Sequence, residues 1–142
     1  MSQINRDILE IARCEVQYRT DNLAPLGLKS CHASYLLEIC ACPGISQDRL
    51  ARRIYINKSN VARQAAILEE EGFIVRTPSA GDKRVMELYP TEKTLELMPQ
   101  IRQVLRSWRS YLMEGLSEEE IAVLDKALTS MRSRAGDWME EL

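Results

Sequence analysis

The chain has 142 residues, 45% hydrophobic and 28% charged, with 19 Lys and Arg against 21 Asp and Glu. That balance belongs to a folded globular domain and excludes long disorder, and no apolar run reaches the roughly 18 residues of a membrane span. A net charge of −2, taken as a total, also argues against a nucleic-acid binder, but the total hides how the charge is distributed.

Apolar residues at Ile4, Ile8, Ile11, Cys14 and Tyr18 form one helical stripe. Asp21 and Asn22, then Pro25 and Gly27, are expected to end that helix. Charges interrupt this opening segment, which lacks the apolar centre of a secretion signal, so a cytoplasmic location is expected. A second helix is predicted from about Ser30 to Cys42, with His32, Leu36, Ile39 and Cys40 on one face and Pro43-Gly44 closing it. Ser46 suits the N-cap of a short helix burying Leu50, Ala51 and Ile54. After a turn at Tyr55-Ile56, another helix starts near Asn57. It turns Val61, Ala65 and Leu68 inward and stops at Gly72.

Residues 73–77 and 85–89 then read as strands, joined by turn chemistry at residues 78–82, with Lys83 and Arg84 near the tip. Thr91 is expected to cap a long helix carrying Leu95, Met98, Ile101, Leu105, Trp108 and Leu112 on one side. Pro99 within it predicts a kink or a later start. Ser117 and Glu120 have capping-box spacing and open a last helix with Ile121, Leu124, Leu128 and Met131 inward. The fold class is therefore mainly α with a small β-hairpin wing: a winged helix-turn-helix flanked by N- and C-terminal helices.

Charge follows this plan. Arg49, Arg52, Arg53, Lys58 and Arg63 occupy a stretch without a single acid. Residues 46–84 sum to +3 and the remainder to −5. A basic centre between acidic ends is the footprint of a nucleic-acid binder. The second helix of a helix-turn-helix points its N-terminal residues at base edges. Here it offers Asn57, Lys58, Ser59, Asn60, Arg63 and Gln64, whose amides and cations match adenine and guanine edges. The preceding helix brings Ser46, Gln47, Arg49 and Arg53 toward backbone phosphates, while Glu69, Glu70 and Glu71 sit at the far end. Lys83 and Arg84 on the wing suit a narrow minor groove.

Other chemistries lack their residues. Four cysteines and one histidine do not have the paired spacing of a zinc site, so no metal is expected. No nucleophile motif or Gly-rich phosphate loop is present, so neither catalytic residues nor a cofactor are expected, and the chain does not read as an enzyme.

The sequence resembles the MarR/SlyA family of bacterial transcriptional regulators over nearly its whole length. The resemblance is carried by Leu23 through Gly27-Leu28, by Val61-Ala62-Arg63 before Glu69-Glu70-Glu71-Gly72-Phe73-Ile74, and above all by the run from Arg76 through Asp82-Lys83-Arg84 to Thr91. It implies a single domain over 1–142, with 29–91 as the winged lobe and 1–28 and 92–142 as dimerisation helices. It implies that Arg76 belongs to the wing motif, that Asp82 orders the wing and that Arg84 enters the minor groove. Pro90 stands where the family usually has Leu, and Ala62 where Thr is frequent. The implied function is a sequence-specific repressor, homodimeric on a pseudo-palindromic double-stranded DNA operator and released by a small aromatic or anionic effector. Tyr18, His32 and Tyr35 are candidate effector contacts. Two alternatives stand beside it: a redox sensor using Cys14, which the stripe places on a buried face, and a winged-helix protein-interaction module that binds no DNA.

Overall fold

The computed structural model describes residues 2–141. It contains six helices and three short strands in the order α1 (Ile4–Leu23), α2 (His32–Ala41), β1 (Ile45–Ser46), α3 (Gln47–Ile54), α4 (Lys58–Glu70), β2 (Ile74–Pro78), β3 (Met86–Pro90), α5 (Glu92–Leu112) and α6 (Glu118–Glu140). The chain divides into two compact units, Met1–Trp108 and Arg109–Leu142.

In the first unit, α1 runs past Asp21-Asn22. Asn22, expected to help stop it, bonds back along the helix instead, its Nδ2 donating to the Tyr18 carbonyl at 2.8 Å, as Thr20 Oγ1 does to that of Val16 at 2.8 Å. The true stop is a single 3₁₀ turn, Ala24–Leu26, closed by Gly27 in the left-handed region. The α1 stripe is largely exposed in this chain; Ile4 and Ile11 are about half accessible, and Cys14 is exposed rather than buried.

Ser46 caps α3, its Oγ accepting from the Arg49 N–H at 3.1 Å. Tyr55 ends that helix with φ 58, left-handed without being glycine. The Ile56 N–H reaches back to the Ala51 carbonyl at 3.1 Å, and this reversal sets α4 against α3. Asn57 then caps α4 by accepting the Asn60 N–H at 2.8 Å. Val61, Ala65 and Leu68 are fully buried as expected.

The wing strands lie one residue later than predicted, and a third strand joins them. β3 is central: β1 pairs antiparallel with it through Ile45↔Leu88, and β2 through Arg76↔Leu88. Gly44, with φ 91, turns the chain into β1 beneath Tyr89; a Cβ there would lie 3.2 Å from the Tyr89 hydroxyl. Pro90 does not disturb the joint to α5. The Thr91 N–H donates to the Phe73 carbonyl at 3.1 Å, and the Thr91 hydroxyl donates to that of Gly72 at 2.7 Å.

Helix α5 begins at Glu92 and continues through Pro99, which leaves the Leu95 carbonyl without its helical donor. Its buried residues are Thr94, Met98 and Ile101, whereas Leu95 is 48% exposed. Met98 and Ile101 lie on the core face as expected, and only at its start does Thr94 take the place of Leu95. Thr94 occupies it because its hydroxyl donates to the buried Phe73 carbonyl at 2.6 Å. Around Tyr35, Leu36, Ile39, Leu50, Leu68, Phe73, Ile74, Leu88 and Ile101 this unit has one continuous core.

In the second unit, Ser117 and Glu120 form the expected capping box, with mutual bonds of 3.1 and 3.0 Å. Ile121 and Leu124 are half-buried, while Leu128 and Met131 are exposed. The architecture of the first unit is a winged helix-turn-helix.

Candidate nucleic-acid interface

The first turn of α4 is exposed and polar. Lys58, Ser59 and Arg63 are exposed and Asn60 is half-buried. These groups are already organised among themselves. The Asn57 oxygen accepts from the Asn60 N–H and from the Ser59 hydroxyl at 2.9 Å, and the Asn60 oxygen accepts from Arg63 Nη2 at 3.0 Å. Ser46 and Asn57 therefore serve first as helix caps. Lys58 lies 3.4 Å from Asp48, with both side chains mostly exposed. Such a pair contributes little, so the ammonium can exchange Asp48 for a phosphate at small cost. Arg53 pairs with Glu38 at 3.4 Å, while Arg49 is exposed on α3.

At the wing tip, Asp82 holds Arg84 through three bonds. Its carboxylate accepts from the Arg84 backbone N–H at 3.0 Å, from Nε at 3.1 Å and from Nη2 at 3.2 Å. Arg84 is nonetheless 91% exposed in its side chain. The Arg84 side chain and backbone bonds hold the Asp82 carboxyl below its usual range. Lys83 beside it is exposed.

Two expected contact residues are held by partners within the lobe. Arg76 turns its guanidinium back into the lobe, where Nε and Nη2 each lie 3.1 Å from Glu69 Oε1 and Nη1 donates to Gln47 Oε1 at 3.4 Å. Its backbone N–H also donates to Glu69 at 3.0 Å, and this bond is the main reason that the Glu69 carboxyl is held low. β2, α4 and α3 are thus tied by one arginine. Glu69 is a partner in that tie, not merely a member of an acidic triplet. No residue pattern announced it: Glu69 and Arg76 meet only because the turn at Gly72 reverses the chain. Gln64 is the second case. It is half-buried, and its Oε1 lies 2.9 Å from His32 Nε2.

The three effector candidates are not gathered at an open surface. His32 is fully buried, and its Nδ1 accepts from the Lys29 N–H at 3.2 Å, so both ring nitrogens are engaged. Burial lowers its pKa, outweighing the bond to Gln64 that raises it. Tyr35 is fully buried, with a hydroxyl that has no hydrogen-bond partner among the described residues and a pKa pushed up to about 12, chiefly by desolvation. Tyr18 stacks at 5.0 Å on Trp108, whose indole N–H donates to Glu15 at 2.8 Å. Burial raises the Cys31 and Cys40 thiols, opposite to what a reactive thiolate needs. Among the described residues no His, Cys, Asp and Glu group is arranged to hold a metal ion, and no helix is long and apolar enough to cross a membrane.

The MarR family model matches residues 32–86, from the first residue of α2 to the first of β3. A Bacillus subtilis (strain 168) protein, the uncharacterised HTH-type transcriptional regulator YybA, is 30% identical over 139 residues, covering 97% of this chain and 93% of that one. Among solved structures, the transcriptional regulator SlyA superposes with a TM-score of 0.94 at 32% identity, covering 98% of both chains. A MarR family regulator from Listeria monocytogenes, crystallised with 26mer DNA, has a TM-score of 0.92 at 29% identity over 98% of this chain and 93% of its own. These relatives are regulators, not enzymes, and their similarity runs through both the winged lobe and the long helices. The chain belongs to the MarR family of transcriptional regulators.

Proposed function

We propose that this regulator is a homodimeric repressor that reads double-stranded DNA with α4 and the wing. The observation that carries the reading is Arg84: its side chain is 91% exposed, yet its guanidinium is held by Asp82 at the tip of a projecting hairpin. An exposed cation fixed in direction is suited to a narrow, negatively charged minor groove. The polar first turn of α4 supplies the major-groove side, and the Listeria relative's crystallisation with 26mer DNA supports DNA binding.

The dimer reading assigns residues 1–28 and 92–142 to assembly. It is supported by apolar side chains that this chain leaves in water, including Ile4, Leu9 and Val16 on α1, and Val123, Leu128 and Met131 on α6. Two copies would present two α4 helices to a pseudo-palindrome. Release by a small aromatic or anionic effector belongs to the same reading. Tyr35, with its unpartnered buried hydroxyl, is the group best suited to donate to a carboxylate.

The test is binding to the intergenic DNA beside the protein's own gene. Arg84→Ala should weaken binding about tenfold and lower the salt dependence by about one phosphate contact. Wild-type affinity and salt dependence in Arg84→Ala would mean that the wing does not contact DNA. Absence of wild-type footprinting on any duplex would favour a protein-interaction module.

A further inference from the structure

Gln64 stands on the DNA-facing helix, but its side chain is not free to choose which end it presents. A glutamine that reads adenine uses both ends at once, the oxygen accepting from N6 and the NH₂ donating to N7. Here the hydrogen-bond chain runs from Lys29 through His32 to Gln64. The Lys29 backbone N–H can only donate, so His32 Nδ1, 3.2 Å away, is the acceptor. In a neutral imidazole the proton then sits on Nε2 and donates across 2.9 Å to Gln64. The ring is fully buried, which disfavours the charged form. The Gln64 oxygen therefore faces the ring, because its NH₂ would set a donor against a donor. Only the NH₂ remains to present outward.

We infer that His32 fixes the amide of Gln64 and makes Gln64 a donor-only reader. It favours base edges that carry acceptors, guanine O6 and N7, thymine O4 or adenine N7, and loses the bidentate adenine pairing open to a free glutamine. His32 acts as a positioning residue. The inference rests on the DNA-reading role proposed for α4.

The experiment is selection from a random-sequence duplex pool with the full chain, as wild type, Gln64→Ala, Gln64→Glu and His32→Phe, with His32 followed by ¹⁵N-resolved NMR. The base pair whose preference is lost in Gln64→Ala identifies the contact. There the wild type should favour guanine or thymine over cytosine, on the order of fivefold. Gln64→Glu keeps one oxygen on His32 and turns the other outward, so the preference should invert toward cytosine. A folded His32→Phe frees the amide, so adenine should gain at that pair. The spectra should show the proton on Nε2. Four results would overturn the inference: a proton on Nδ1, base preferences that Gln64→Ala leaves unchanged, a wild-type preference for adenine that depends on its N6 amino group, or a folded His32→Phe with unaltered preference. Should His32→Phe not fold, Gln64→Glu and the spectra decide. If the wild type enriches no duplex, the DNA-reading role fails and this inference falls with it. The spectra then report separately whether the His32–Gln64 bond exists.

Discussion

Helices α4 and α6 have the same kind of apolar periodicity and use it differently. In the 13 residues of α4, Val61, Ala65 and Leu68 are all fully buried within their own lobe. In the 23 residues of α6 only Gly136 is buried, while Leu128 is 41% and Met131 40% exposed on the stripe. A 3.6-residue stripe states that a face needs covering; it does not state which chain covers it. The polar faces differ as well. Those of α4 are tied by specific bonds to α3, β2 and His32. The acids that open α6, Glu118 and Glu119, are simply exposed beside their cap.

The largest expected effect comes from charging the exposed face of α6. Leu128→Asp with Met131→Asp removes no core contact from this chain, yet should abolish pairing. Sedimentation velocity should show the mass halved, and affinity for a two-half-site operator should fall by about 100-fold or more as the linked second contact is lost. An unchanged mass would mean that the stripe of α6 is not covered by a second copy.

On the α4 side, the corresponding break is Glu69→Ala. It removes the acceptor of the Arg76 N–H and the partner of its guanidinium. With Glu69 38% and Arg76 24% exposed in their side chains, solvent screening limits the ion pair, and the loss should be about 1–2 kcal/mol, most of it from the orphaned N–H and guanidinium. Urea unfolding measures it. DNA binding should weaken too, because the tie sets β2 against α4. Stability unchanged within about 0.3 kcal/mol would show that the tie is ornamental.

The same contrast explains what could be read from the chain in advance. Ser46, Asn57, Ser117 and Gly72 mark their helix ends because a cap is chemistry local to a few residues. Strand β1 was not legible, since two residues cannot show an alternation; Ile45 and Ser46 become a strand only by pairing with Leu88 and Glu87. At the start of the α5 face the apolar pattern points to Leu95, whereas Thr94 is the residue with a buried carbonyl to satisfy. The family motif places Arg76 in the wing, and the amide of Gln64 points to a base edge by residue type. Their actual partners, Glu69 and His32, lie on other elements, and a donor's partner across space has no sequence spacing. The apolar stripe of α1 points to a buried Cys14, yet Cys14 is exposed in this chain, the same ambiguity that α6 displays.

Acidification should act on the α4 side alone. His32 is the single histidine of the chain, so titration near neutrality isolates the ring that holds Gln64. Its folded pKa is lowered by burial, so between its unfolded and folded values the unfolded state binds the extra proton. Stability is therefore complete above the unfolded value and falls as pH drops below about 6.5, by at most about 1.4 kcal/mol per pH unit for one proton. The loss should level off once the folded ring also titrates. In Gln64→Ala the bond that raises the pKa is gone, so the loss should continue to lower pH. Hydrogen exchange in α4 should report the fall, and α6, which has no histidine, should not show it. A stability flat from pH 7.5 to 5.5 would mean that folded and unfolded His32 titrate alike, and that burial does not keep the ring neutral.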